Sequence, residues 1–146
     1  MESIFKPNQI KLMYKEITSF EEAAKRSKLG VDPEKLPDLS MLPSKVSGGM
    51  IALMKLQVVV DAVNNDDPAE PEFIADFNNE DQEKWYPWYV GGDRSGSGFR
   101  FGAAGYVWAN SSAGGGARLS LKDEARADHM NEHFQELYKD LWLILE

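Results

Sequence analysis

Hydrophobic and polar positions divide the chain into two helical stretches, an acidic gap, three short strand-like runs and a final amphipathic stretch. Ser19 followed by Glu22 sets up a reciprocal cap, and Phe20, Ala23 and Ala24 begin a helix predicted to reach about residue 29. Gly30 then supplies a left-handed stop. Residues 31–43 hold Pro33, Pro37 and Pro43 and read as a loop, with at most one helical turn at 33–36. Ser44 can cap a second helix. Its 50–63 stretch is apolar on almost every side, with Lys55 the one charge before Asp61, which is the mark of a central, buried helix. Three consecutive valines at 58–60 make a buried strand the rival reading, and length favours the helix.

The second half changes character. Lys84-Trp85-Tyr86-Pro87-Trp88-Tyr89-Val90 reads as an aromatic strand, which Pro87 confines to a sheet edge or breaks. Residues 91–98 form a glycine-rich turn. Residues 99–110 make a second strand, with large side chains at Phe99, Phe101, Tyr106 and Trp108. After another glycine-rich turn, residues 117–122 alternate as a third, half-buried strand with Leu119 and Leu121 inward. Asp123 caps a last helix over 124–143, whose apolar face is Ala127, Met130, Phe134, Leu137, Tyr138 and Leu141. Three consecutive strands with short turns predict an antiparallel meander, covered by the helices. The expected fold is α+β, order ααβββα, in one domain over 1–146.

Charge narrows the function. The chain has 146 residues, 16 Lys and Arg against 24 Asp and Glu, a formal charge of −8, and no Cys. That excludes a disulfide scaffold, a thiol nucleophile and a Cys-ligated zinc or iron–sulfur site. It also argues against general nucleic-acid binding, which rests on neutralising phosphates. Nine carboxylates and no basic residue fall between 61 and 83: Asp61, Asp66, Asp67, Glu70, Glu72, Asp76, Glu80, Asp81 and Glu83. Residues 64–83 therefore read as an acidic connecting segment. The first twenty residues lack the basic-then-apolar order of a secretory leader. The stretch 50–60 falls short of the ~20 apolar residues that span a bilayer. The expectation is a cytoplasmic protein, off the membrane, with no cofactor.

Ala75-Asp76-Phe77-Asn78-Asn79, the run Lys84-Trp85-Tyr86-Pro87-Trp88-Tyr89, Gly116-Ala117-Arg118-Leu119-Ser120-Leu121-Lys122 and Phe134-Gln135-Glu136-Leu137-Tyr138-Lys139-Asp140 together resemble a signature of small uncharacterised proteins. Those proteins occur in Bacteroidetes genomes, phages and mobile elements. The chain departs from the pattern at Ala117 and Ser120 and in its long glycine-rich turns. The resemblance implies a phage or mobile-element origin in the cytoplasm of a bacterial host. It implies no activity and no catalytic residue.

The sharpest chemical motif is His129-Met130-Asn131-Glu132-His133, the H-x-x-E-H order of inverted zinc peptidases. With Phe134 at the centre of the apolar face, His133 falls about 100° and His129 about 140° round the helix. Both imidazoles are thus expected to face water or a flank, as an exposed helical face and not a metal site. Asp76-Phe77-Asn78-Asn79-Glu80-Asp81 echoes a calcium loop, but the sixth and twelfth positions are Asp81 and Pro87, where an EF-hand needs Gly and Glu.

These features favour a non-enzymatic accessory protein that acts by protein–protein contact. Its candidate binding residues are Trp85, Trp88, Arg94, Arg100, Trp108 and Arg118, aromatic and arginine side chains around the glycine-rich turns. The protein partner is open, and edge pairing through the Pro87 strand would make a homodimer. The first alternative is a single-stranded nucleic-acid accessory protein that stacks bases on an aromatic sheet face. The second is a small metal-dependent hydrolase using His129, Glu132 and His133. Arg118 is further expected to pair with a carboxylate of the acidic segment.

Overall fold

Ser19 opens the first helix as the pattern requires. Its hydroxyl accepts from the Glu22 amide at 3.1 Å, and helix α1 spans Phe20–Arg26. The predicted extension to residue 29 is lost to Asp61, which takes the Ser27 hydroxyl at 2.7 Å and the Lys28 amide at 3.1 Å. Gly30 still adopts the left-handed conformation, at φ +73°, in the turn beyond. Helix α2 spans Ser44–Asn64, and Pro43, not the Ser44 side chain, stands at its N-cap. Helix α3 spans Glu124–Trp142, with the Asp123 carboxylate accepting from the Arg126 amide at 2.9 Å. It kinks at Phe134 (φ −130°, ψ 19°).

This computed structural model describes residues 13–91, 99–107 and 117–143, with backbone alone at 88–91 and 99–107. Strands β1 (Lys84–Gly91) and β2 (Phe99–Val107) pair antiparallel, with Lys84 opposite Val107, Gly91 opposite Phe99, and a register shift between Trp88 and Tyr89. The expected α+β fold with a three-stranded meander is overturned. The described residues are mostly helical, and their sheet has two strands.

The third predicted strand gives way to a turn and a side-chain clamp. Residues Ala117–Leu119 wind into a 3-10 turn, and just one isolated bridge, Trp85 to Leu121, follows. Leu121 exchanges two backbone hydrogen bonds of 2.8 Å with Trp85. On the other side the buried Asn64 carboxamide acts where a strand would. Its Nδ2 donates to the Ser120 carbonyl at 2.9 Å, and its Oδ1 accepts from the Lys122 amide at 3.0 Å. A side chain thus completes the hydrogen bonding that a ladder would supply. Leu119 and Leu121 are buried as expected, but Ser120 between them is buried too, so the alternation does not mark two faces.

The helices α2 and α3 run antiparallel. The Val63 carbonyl accepts from Arg126 Nε at 2.9 Å at one end, and a Cβ on Gly49 would stand 3.7 Å from the Asp140 carbonyl at the other. Ile17, Leu56, Val59, Val63, Leu121 and Met130 are at the centre of the core. Lys84, at the start of β1, is fully buried. Its Nζ donates to the carbonyls of Asn79 (3.1 Å) and Gln82 (2.9 Å) and lies 5.2 Å from the centre of the Phe77 ring.

Candidate functional site

Asp61, near the end of α2, holds the chain after α1 in place and fixes Leu29 beside the helix. It also accepts from Asn65 Nδ2 at 3.1 Å. Asn65 in turn accepts from the Phe73 amide at 2.8 Å, and Gln82 Nε2 donates to the Ile74 carbonyl at 2.9 Å. These bonds carry part of the acidic segment back across α2. The 3-10 turn closes the far side, where Arg118 Nη1 donates to Gln57 Oε1 at 3.2 Å. Leu29, Val60, Phe73, Ile74, Ala75 and Ala117 enclose a groove of about 240 Å³. Leu29 and Ile74 are 55% and 68% exposed at its rim.

An apolar ridge leads into this groove. Val46, Met50 and Leu53 are exposed and follow one side of α2, at spacings of four and three, toward Gln57 and Asp61. Helix α1 leaves the ridge bare. Phe20 lies level with Lys55, whose Nζ is 5.3 Å from its ring centre, and Ser27 is level with Asp61. Seven residues of α1 therefore cover the second half of α2 and leave the first half open. The expectation of a helix buried all round over 50–63 holds at Leu56, Val58, Val59, Val60 and Val63 and is corrected at Met50 and Leu53.

A second, polar hollow of about 500 Å³ lies between the N-terminal segment and α3, lined by Tyr14, Lys15, Asp128, His129, Glu132 and His133. The expectation that both imidazoles face water is corrected here. His129 is buried, its Nε2 2.7 Å from the Ile17 carbonyl, and Tyr14 meets it edge-on at 5.3 Å between ring centres. The helical wheel missed this because residues 13–17, not the sheet, cover that flank of α3. Burial pushes the His129 imidazole below its ordinary range; the Ile17 carbonyl opposes that shift, and His133 adds to it. The two imidazole rings lie 4.5 Å apart, while Glu132 is largely exposed. No group of three His, Asp or Glu able to hold a metal ion occurs among the described residues.

No family model, curated protein or solved structure matches this chain.

The sequence-derived binding residues are not gathered into one face by what the structure describes. Arg94 and Trp108 lie outside the described residues. Trp88 and Arg100 are in β1 and β2, opposite Ala103 and Val90, with their side chains outside the description. Trp85 packs against the core, and its indole N–H donates to Glu83 Oε2 at 2.9 Å. Arg118 is at the groove. Its predicted ion pair with the acidic segment is replaced by the bond to Gln57, and no carboxylate pairs with it among the described residues. Sequence reasoning missed Leu29, Ile74 and the ridge. The signal available for the ridge was the spacing of Val46, Met50 and Leu53 at four and three positions.

Proposed function

We propose that this chain is a non-enzymatic accessory protein that works by holding another protein, in the setting of a phage or mobile element in a bacterial cytoplasm. The observation that carries the contact role is the uncovered apolar ridge of Val46, Met50 and Leu53, running into the groove rimmed by Leu29 and Ile74. Scattered apolar side chains are ordinary on a protein surface, whereas a contiguous run of them favours a contact site. The phage or mobile-element setting rests on the resemblance carried by residues 75–89, 116–122 and 134–140. Trp85, half-buried against the core, offers little to a base-stacking role.

The test is photo-crosslinking in cells with benzoylphenylalanine at position 50 or 74, and at the exposed position 132 as control. Protein adducts from 50 and 74, and none from 132, are expected. Adducts with nucleic acid alone, or the same adducts from all three positions, overturn the reading.

A further inference from the structure

The two walls of the groove differ in charge. The wall that supplies Phe73, Ile74 and Ala75 belongs to the acidic segment, and Glu70, Glu72 and Asp76 are exposed beside it. None of these three carboxylates is ion-paired among the described residues. From Asp66 to Glu83 the chain has no Lys or Arg to neutralise them. The opposite lip holds one cation, Arg118, already bonded to Gln57. Between the walls the floor is helix α2, where Val60 sits among Gln57, Asp61 and Asn64, and the apolar ridge of Val46, Met50 and Leu53 leads up to it. From Val46 to Asp61 the ridge extends about 22 Å at 1.5 Å per residue.

We infer that this groove and ridge take an amphipathic helix from a basic protein. Its apolar side chains recur at three and four positions and lie along Val46, Met50 and Leu53. One of them enters the groove, and Lys or Arg on its flank faces Glu70, Glu72 and Asp76. The inference deepens the protein-binding reading above and rests on it. Two arguments select this occupant. A ridge with helical spacing matches the anchors of a helix laid in a groove, and charge opposition across an interface sets which partner is accepted. A second copy fits poorly. A two-fold pair lays the same patch on itself, so each acidic wall meets a molecule whose net charge is −8.

The experiment uses the full chain and three fluorescein-labelled peptides of about four helical turns. One is a Leu/Lys amphipathic helix, one is its scrambled sequence, and one is a Leu/Glu analogue. The Leu/Lys helix is expected to bind at least about tenfold more tightly than either of the others. Ile74→Ser and Met50→Ser should each weaken it about tenfold, while Glu132→Ser leaves it unchanged. All three sites are exposed, and circular dichroism is the check that each variant folds. Equal binding of the scrambled peptide reduces the effect to bulk charge and overturns the inference. Equal binding of the Leu/Glu analogue overturns the assigned charge. Self-association that Ile74→Ser abolishes makes the occupant a second copy. If all peptides fail while positions 50 and 74 still crosslink to protein, the helix chemistry falls and the contact role stands. If the crosslinks fail as well, both fall.

Discussion

Asp66 shows how far one residue can depart from the look of its neighbourhood. It belongs to a run of exposed carboxylates, yet its side chain has no solvent exposure. It accepts from the Tyr14 amide at 2.8 Å and from Arg126 Nη2 at 2.8 Å. Arg126 also donates to the Val63 carbonyl and to Asp123, and its guanidinium lies 4.5 Å from the centre of the Tyr14 ring. One ion pair thus joins the N-terminal segment, the end of α2 and the start of α3. Removing one partner leaves a charge buried and uncompensated, so Arg126→Met should cost about 3–5 kcal/mol in urea unfolding. Adding Asp66→Asn removes that charge while keeping an acceptor for Tyr14, and should restore most of the loss. A double variant as weak as the single one would refute this account.

His129 makes a second residue-scale case. Its folded-state pKa is depressed, so the unfolded chain binds its proton first as pH falls. The stability it contributes is present above the ordinary imidazole value of 6.5 and is lost as pH drops through the folded value. Lys15 and His133 face the ring and disfavour its charge, whereas Glu132 favours it. Tyr14 and Asp128 complete the surroundings. Urea midpoints should therefore decline from about pH 7.5 to 5.5, and His129→Gln should flatten that decline. An unchanged slope in the variant would assign the decline to other groups.

Among the elements, helices were the most legible in the sequence. Ser19 and Asp123 announce their caps, and the apolar spacing of Ala127, Met130, Phe134 and Tyr138 marks the buried face of α3. The aromatic run at 84–90 also folds as the strand it resembles. What was not legible depends on distant partners. The third strand was lost to Asn64, 56 positions from Ser120, and α1 was shortened by Asp61. The groove had no sequence signature because α2, the acidic segment and the 3-10 turn build it jointly. Two leucines on α2 separate its roles. Leu56 is fully buried and Leu53 is exposed. Leu56→Ala should cost about 2–5 kcal/mol, whereas Leu53→Ser should stay within about 0.5 kcal/mol. Equal losses in chemical denaturation would mean that the ridge is part of the core.

For the whole molecule, the arrangement segregates tasks. The helices α2 and α3 build a core around Leu56 and Met130, while the acidic segment is drawn over one flank and becomes a wall. Its negative charge, which from composition alone speaks only of solubility and of poor affinity for phosphates, gains a direction once that wall borders a channel with apolar side chains at its rim. The clasp at Lys84 adds a consequence. Its amine grips the carbonyls of Asn79 and Gln82, and Gln82 grips the Ile74 carbonyl. A tug on the rim of the channel is thereby handed, link by link, to the root of the hairpin, so whatever seats itself there also has a mechanical handle on the opposite end of the acidic stretch.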